Sequence, residues 1–207
     1  MTLSAEEVHR IKQAPGAEEL LPAIRSRWSP RAFSDRPVSP ADLRKVFEAA
    51  RWAPSCYNEQ PWRFIVGERN SDTYKKIFSS LVEFNQHWAK KAPVLILGVA
   101  KKTFAHNGTP NGFNLFDLGA ATGFLTLQAA TLGLSTHQMG GYNKDTARES
   151  LKIPDDFDLG SVISLGYQGE PASLPHEQMR SQETTPRTRK ELSEIVLSAW
   201  GESAKLS

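Results

Sequence analysis

A long apolar segment with small residues at its centre constrains the fold of this chain more than any other feature. Residues 112–134 carry Leu and Phe at many positions and Gly or Ala at four of the five positions 119–123. Asp117, Gln128 and several Gly and Thr residues interrupt the run, so it predicts a buried helix rather than a membrane span. Small residues let another helix approach closely. The segment therefore needs cover on most of its sides, and a partner surface could supply part of it.

The rest of the chain predicts helices and strands in alternation. The predicted helices are one capped by Ser4 with Glu7, one over 18–26, one beginning at Ser39-Pro40, one beginning at Ser71, the segment 112–134, one capped by Asn143 and a closing amphipathic helix over 192–199. The predicted strands cover 64–66, 93–100, 135–138 and 162–167. Residues 169–186 are polar and contain three prolines, and they predict an extended arm. This pattern indicates one domain with a mixed sheet wrapped by helices.

Composition excludes several classes of protein. A chain of 207 residues with 39% apolar and 23% charged residues is typical of a single globular domain. The formal charge of +2 is too small to indicate a nucleic-acid or membrane partner. The single Cys excludes an internal disulfide, and no secretory signal is visible at the N-terminus, so we expect a cytoplasmic protein.

The sequence offers no readable metal site or dinucleotide fingerprint. His87, His106, His137 and His176 lack metal-ligand spacing, and the acidic residues at 155–158 lack the Gly and Glu of a calcium loop. The sequence contains no glycine-rich fingerprint, Walker loop or nucleophile elbow. Their absence argues against a Rossmann dinucleotide fold and against a serine hydrolase.

A cationic turn is the first candidate binding element. Arg27, Ser29 and Arg31 alternate at two-residue spacing, so an extended segment places their side chains on one face. Two guanidinium groups and a hydroxyl can hold a phosphate. From these residues alone a solvated basic stretch is the stronger interpretation. Arg187 and Arg189 repeat the alternation near the end of the chain.

The second candidate is the loop between a helix and a strand at residues 53–64. Pro, Ser and Asn are dense there, which predicts a fixed turn with backbone amides outside any ladder. Such a loop can present amides to a flat polar ligand, although a turn without a ligand explains the same residues. Cys56 within it is more readily a small packing residue than a thiol nucleophile, because no His or Asn constellation lies beside it.

Two further positions suit a planar ligand. Asn85 offers a donor and an acceptor for a pyrimidine-like edge, although an isolated Asn is more often a helix cap. Gly140 and Gly141 follow a predicted strand and permit close backbone approach.

The chain resembles the FMN-dependent nitroreductase family in three segments and in their order. These are the turn at 27–33, the loop at 53–64 and the pair of arginines at 187–189. The Asn-x-Gln-Pro-Trp run at 58–62, immediately before a strand, is frequent in that family. The resemblance implies an α+β fold in which a mixed sheet is flanked by helices. It also implies an intertwined homodimer whose C-terminal arm, about residues 169–207, embraces the partner subunit.

The resemblance further implies roles for individual residues. Gly140 would donate its backbone N–H to flavin N5, although many relatives carry Glu there and Pro two positions earlier, where this chain has Gln138. No side chain is implied as a catalytic acid or base. The implied FMN-binding residues are Arg27, Trp28, Ser29, Arg31, Pro54, Ser55, Cys56, Asn58, Asn85, Met139, Gly140, Gly141, Arg187 and Arg189. The implied substrate residues are Tyr57, Phe104 and Phe113.

These residues predict an enzyme that takes hydride from NADH or NADPH through FMN and reduces a nitroaromatic, quinone or similar planar acceptor by a ping-pong mechanism. One alternative is a relative with a single dedicated reaction, such as reductive dehalogenation or flavin-directed chemistry, for which residues 103–113 would form the lid. Another is a flavin-binding protein without turnover.

Overall fold

A four-stranded sheet organises the chain in the computed structural model, which describes residues 3–206. The helices are α1 Ala5–Ile11, α2 Pro22–Ser26, α3 Pro40–Arg51, α4 Asp72–Ser80, α5 Glu83–Ala89, α6 Asn114–Thr131, α7 Lys144–Leu151, α8 Glu177–Thr184 and α9 Leu192–Ile195. The strands are β1 Trp62–Glu68, β2 Val94–Lys101, β3 Ser135–Met139, β4 Phe157–Gly166, β5 Leu197–Ala199 and β6 Glu202–Ser203. Met1 and Thr2, part of the segment examined for a signal, and Ser207, the end of the expected arm, lie outside the described residues.

The main sheet has the strand order β1-β2-β4-β3, and each of its pairs is antiparallel. β2 is a central strand, and each of its residues except the last, Lys101, is buried. Its continuous apolar run predicts this. The expected mixed sheet is therefore antiparallel in the described chain. Periodicity predicts where strands lie, but it carries no information about their relative direction. The α+β class itself is confirmed.

Helices cover both faces of this sheet. Alternate residues of β2 point to opposite sides. Leu95 and Leu97 join the core beneath α4, α5 and α7, whereas Val94 and Ile96 join the core beneath α3 and α6.

Local signals predicted the starts of α1, α3, α4 and α7 correctly. Ser4 and Glu7 form the reciprocal capping box of α1, and Ser39, Ser71 and Asn143 each accept a backbone N–H as N-caps. By contrast, the helix expected over 18–26 is only the five-residue α2, because Pro22 occupies its first turn.

α6 is covered on one side only. Leu118, Leu125 and Ala129 are buried, whereas Phe116 on the opposite side is 76% exposed. A Cβ added to Gly119 or Gly123 would meet no atom within 4 Å. The expectation of burial on most sides is therefore not met within one chain, which leaves an apolar face with small residues open.

The C-terminal region differs most from expectation. Residues 169–184 do not form a detached arm, because Gly169 bonds to the carbonyl of Ala32 and α8 buries Met179 and Glu183. The expected closing helix spans only α9. A two-stranded hairpin, β5 and β6, follows, and its turn uses the positive φ of Gly201, +85°.

Candidate functional site

The cationic turn and the C-terminal arginines meet in the folded chain. The Arg187 guanidinium donates to the backbone carbonyls of Arg25 and Arg27. Burial, and then the neighbouring Arg189, lower the pKa of Arg27. Burial, followed by Arg27 and Arg189, likewise lowers the pKa of Arg187. Arg27, Arg187 and Arg189 thus form one cationic cluster, although Arg27 lies about 160 positions from the other two in the sequence.

This cluster has unused hydrogen-bonding capacity. In the described part of the chain, the Nε atoms of Arg27, Arg31 and Arg187 are buried without a partner, and no carboxylate pairs with Arg27, Arg187 or Arg189. Buried donors without a partner are costly. A phosphate would accept hydrogen bonds from the unpartnered donors, and its negative charge would offset the unpaired arginine charges. The residues present therefore fit the phosphate end of FMN.

The turn that carries these arginines is held from several sides. The buried Trp28 indole donates to the side-chain oxygen of Gln168 at 3.3 Å, and the backbone N–H groups of Arg31 and Ala32 donate to the Glu183 carboxylate. Ser29 is exposed beside them. Arg31 itself turns toward α8, where it donates to Gln182, and toward the Phe84 ring.

His137 on β3 holds the turn from the sheet. Its Nδ1 lies 3.0 Å from the carbonyl oxygen of Pro30. Because a carbonyl only accepts, Nδ1 carries the proton. Burial lowers the pKa of His137 to about 4, so the ring is neutral near pH 7. The sequence did not predict this role for His137. It was weighed only as a metal ligand, and the uncharged residues around it in the sequence do not indicate a contact with Pro30.

The predicted ring-edge residues lie at the end of β3. Met139 is buried, and the backbone of Gly140 is exposed with open space around it. Asn85 lies inside α5, so it is not a helix cap, and its amide donates to the carbonyl of Gly141 at 2.9 Å. A Cβ on Gly141 would meet that amide at 2.8 Å, which explains the glycine. The Arg31 guanidinium lies 5.8 Å from the centre of the Phe84 ring, and Phe84 precedes Asn85. The ring-edge residues therefore lie near the cationic turn.

The loop before β1 adopts a backbone that L-residues rarely take. Tyr57, Asn58 and Gln60 have φ values of +52°, +54° and +50°. Two bonds hold this shape, from Cys56 N–H to the Asp117 carboxylate at 3.1 Å and from Gln60 N–H to the Ser55 hydroxyl at 3.0 Å. Strain of this kind concentrates at ligand-binding sites. Pro54 is exposed at the start of the loop.

An aromatic surface adjoins the loop. Tyr57 is 82% exposed and meets the Phe104 ring edge-on at 5.8 Å, and His106 lies 6.0 Å from Tyr57. The Glu59 carboxylate accepts from Ala105 N–H and thereby ties residues 103–113 to the loop. Phe113 is also exposed, at the start of α6. This surface can stack a planar molecule.

A single chain separates the predicted FMN-binding residues into two groups. The loop is tied to Asp117 near the start of α6, whereas Arg27, Arg187 and Arg189 line a cavity of about 580 Å³ that also contacts Leu127. Ten residues of helix span about 15 Å. No hydrogen bond or ion pair in the described chain joins the two groups.

Residues 3–206 lack two features, a metal-binding group of side chains and a membrane-spanning helix. That stretch holds no group of three or more His, Cys, Asp or Glu side chains arranged to bind a metal ion. Nor does it hold a helix with the length and apolar character needed to cross a bilayer.

The chain belongs to the nitroreductase family, whose model matches residues 24–87 and 68–167. It is 36% identical over 154 residues to an Archaeoglobus fulgidus protein named "Putative NADH dehydrogenase/NAD(P)H nitroreductase", with 72% of this chain and 86% of that protein covered. A Methanothermobacter thermautotrophicus protein of the same name is 34% identical, with 73% and 78% covered.

Solved structures show the same fold. An oxidoreductase containing FMN superposes with a TM-score of 0.83 at 34% identity, covering 96% of this chain and 97% of that one. A nitroreductase from Desulfovibrio desulfuricans, solved in complex with FMN, gives 0.69 at 25% identity, with 86% and 94% covered.

Proposed function

We propose that this chain is a cytoplasmic FMN-dependent oxidoreductase that takes hydride from NADH or NADPH and reduces nitroaromatics, quinones or similar planar acceptors. The observation that carries the proposal is the cluster of Arg27, Arg187 and Arg189. Within residues 3–206, the Nε atoms of Arg27 and Arg187 are buried without a partner, and no carboxylate forms an ion pair with any of the three. Relatives that contain FMN or carry nitroreductase names support the same assignment.

The protein's own groups bind and orient rather than transfer protons. The arginine cluster would hold the phosphate, and Asn85 and the backbone of Gly140 and Gly141 would face the ring edge. FMN, when bound, supplies the chemistry of accepting and donating hydride. Tyr57 and Phe104 would stack each planar ligand in turn, which favours a ping-pong order.

We infer that two copies complete the site. The loop at 54–60 of one copy would meet the cationic cluster of the other, because within a chain they lie at opposite ends of α6. The open α6 face, with Phe116, Gly119 and Gly123, would form the centre of the interface. Residues from 187 onward are mostly exposed and would embrace the partner.

The ordered segment 103–113 favours a second candidate, a dedicated reaction beneath a lid. It is closed by a bridge between Thr103 and Pro110 and is fastened to Glu59. An acceptor panel that includes halogenated phenols separates this candidate from a general reductase.

The test begins with the purified protein reconstituted with FMN. We expect a yellow protein whose released cofactor has the mass of FMN, and steady oxidation of NADH or NADPH when menadione or a nitrofuran is added. FAD as the released cofactor, or no flavin after reconstitution, would overturn the proposal. Bound FMN without turnover on any acceptor would instead indicate a non-catalytic flavoprotein.

A further inference from the structure

Two buried charged side chains contact the cationic turn at residues 27–33 and have no part in the proposed chemistry. Lys12, the C-cap of α1, is 5% exposed, and Glu183 of α8 is 1% exposed. Buried charges are retained only where they are well partnered. Burial lowers the pKa of Lys12 and raises the pKa of Glu183, while each charge opposes the shift of the other.

Glu183 binds the backbone of the turn. Its Oε1 accepts from Arg31 N–H at 2.8 Å and its Oε2 accepts from Ala32 N–H at 3.4 Å. A carboxylate that accepts two successive amides fixes the orientation of that peptide. The segment that carries Arg27, Ser29 and Arg31 is thereby fixed from the side of α8.

Lys12 binds the end of α8. Its Nζ donates to the carbonyls of Gln182 at 2.7 Å and Thr185 at 2.6 Å, where a cation also offsets the negative end of the helix. The same Nζ lies 4.6 Å from the centre of the Trp28 ring. Lys12 therefore connects α1, α8 and the residue next to Arg27.

The C-terminal arginines follow α8 closely in the chain. Arg187 follows Thr185 by two residues and donates to the carbonyls of Arg25 and Arg27. Glu183 faces Lys12 and Arg31, whose charges lower its pKa, so its negative charge offsets part of the repulsion that Arg31 and Arg187 exert on Lys12.

We propose that Lys12 and Glu183 are positioning residues that hold the phosphate-binding arginines in place before a ligand arrives. Both lie outside the span of residues 24–167 that the family model matches. The proposal rests on the assignment of the cluster to FMN phosphate, and its test separates the two.

The first experiment compares FMN with riboflavin, which lacks the phosphate. Flavin fluorescence is titrated with apoprotein of wild type, Glu183→Gln and Lys12→Met. The matched controls are Glu177→Gln, exposed on the same helix, and Lys76→Met, exposed on α4. We expect FMN affinity to fall about tenfold to a hundredfold in both test variants, as for loss of a charge-assisted contact. Riboflavin affinity should change less than twofold, and the controls should match wild type.

Unchanged FMN affinity in both variants would overturn the proposal, and so would equal losses for FMN and riboflavin, since these indicate general damage. Hydrogen exchange of the wild-type apoprotein needs no variant. The amides of Arg31 and Ala32 should be protected without ligand, and exchange at unstructured rates would contradict a preassembled turn.

Titration with inorganic phosphate separates this inference from the proposed function. If wild type binds phosphate but no flavin, while the two variants bind neither, the positioning role stands and the flavin assignment fails. If wild type binds FMN and the variants bind it equally well, the flavin assignment stands and the positioning role fails.

Discussion

His137 on β3 supports the cationic turn through a hydrogen bond that fixes its own protonation state. The neutral His137 donates from Nδ1 to Pro30, and its ring packs on Trp88 with centroids 4.6 Å apart. Protonation would add a charge inside a region that already holds Arg27 and Arg31, both of which lower its pKa further. The turn therefore depends on an imidazole that stays uncharged.

Acidification should expose this dependence. The folded pKa of His137, about 4, lies below its ordinary value of 6.5, so between these values the unfolded chain binds more protons. The contribution of the neutral His137 to the free energy of unfolding is fully present above about pH 6.5. It is lost as the pH falls toward 4, by up to about 3 kcal/mol. Urea unfolding at pH 7.5 and 4.5 should show a smaller loss for His137→Asn than for wild type or the exposed control His9→Asn. Equal losses in all three would contradict this.

The arginines themselves should affect the ligand more than the fold. Arg27→Ala or Arg189→Ala removes a charge-assisted contact to phosphate, worth about 1.5–3 kcal/mol or roughly tenfold to a hundredfold in FMN affinity. The exposed Arg44→Ala on α3 is the control. Fluorescence titration of apoprotein measures the affinity, and thermal unfolding measures the fold. Wild-type affinity in both test variants would place the phosphate elsewhere.

At the scale of elements, the loop before β1 presents backbone rather than reactive side chains. The Cys56 N–H bonds to Asp117, and the left-handed backbone at Tyr57 and Asn58 turns the peptides outward. Because these bonds do not use the Cys56 thiol or the Tyr57 hydroxyl, the loop should keep its shape when either group is removed.

We therefore expect Cys56→Ala and Tyr57→Phe to keep turnover within about tenfold of wild type, under roughly 1.4 kcal/mol of barrier. Tyr57→Phe could still shift the Michaelis constant through stacking. Stopped-flow and steady-state rates with menadione provide the measurement, with FMN content checked in each variant. A loss of three orders of magnitude in Cys56→Ala with FMN bound would show that the thiol takes part in the reaction.

The sequence predicted those elements whose signals are local. Caps at Ser39 and Asn143 and the apolar run of β2 depend on neighbouring residues alone, and all three are confirmed. α8 was not predicted, because its helix depends on burying Met179 and Glu183 against distant parts of the chain. The same limit applies to the site. Motifs predicted candidate residues such as Arg27 and Arg187. Their neighbours Lys12, His137 and Glu183, and the separation of the candidates into two groups, follow from tertiary placement.

For the whole molecule, one chain contains both halves of the proposed binding site but does not join them. The apolar face of α6 lies between the halves, with Phe116 76% exposed and Leu115 46% exposed. A face of this kind on a helix with Gly119 and Gly123 suits close packing against a second copy. We therefore expect an obligate homodimer, whose interface would commonly exceed about 2,000 Å².

A charge placed on this face should remove both the dimer and the cofactor. Phe116→Glu puts a carboxylate where the partner would bury an aromatic ring, and an unpaired buried charge is strongly unfavourable. We expect light scattering to show a monomer and FMN affinity to fall at least tenfold, because the loop of the second copy is no longer present. Lys76→Glu, which adds a carboxylate on exposed α4, should remain dimeric and bind FMN. A Phe116→Glu monomer that binds FMN as tightly as wild type would show that one chain completes the site by itself.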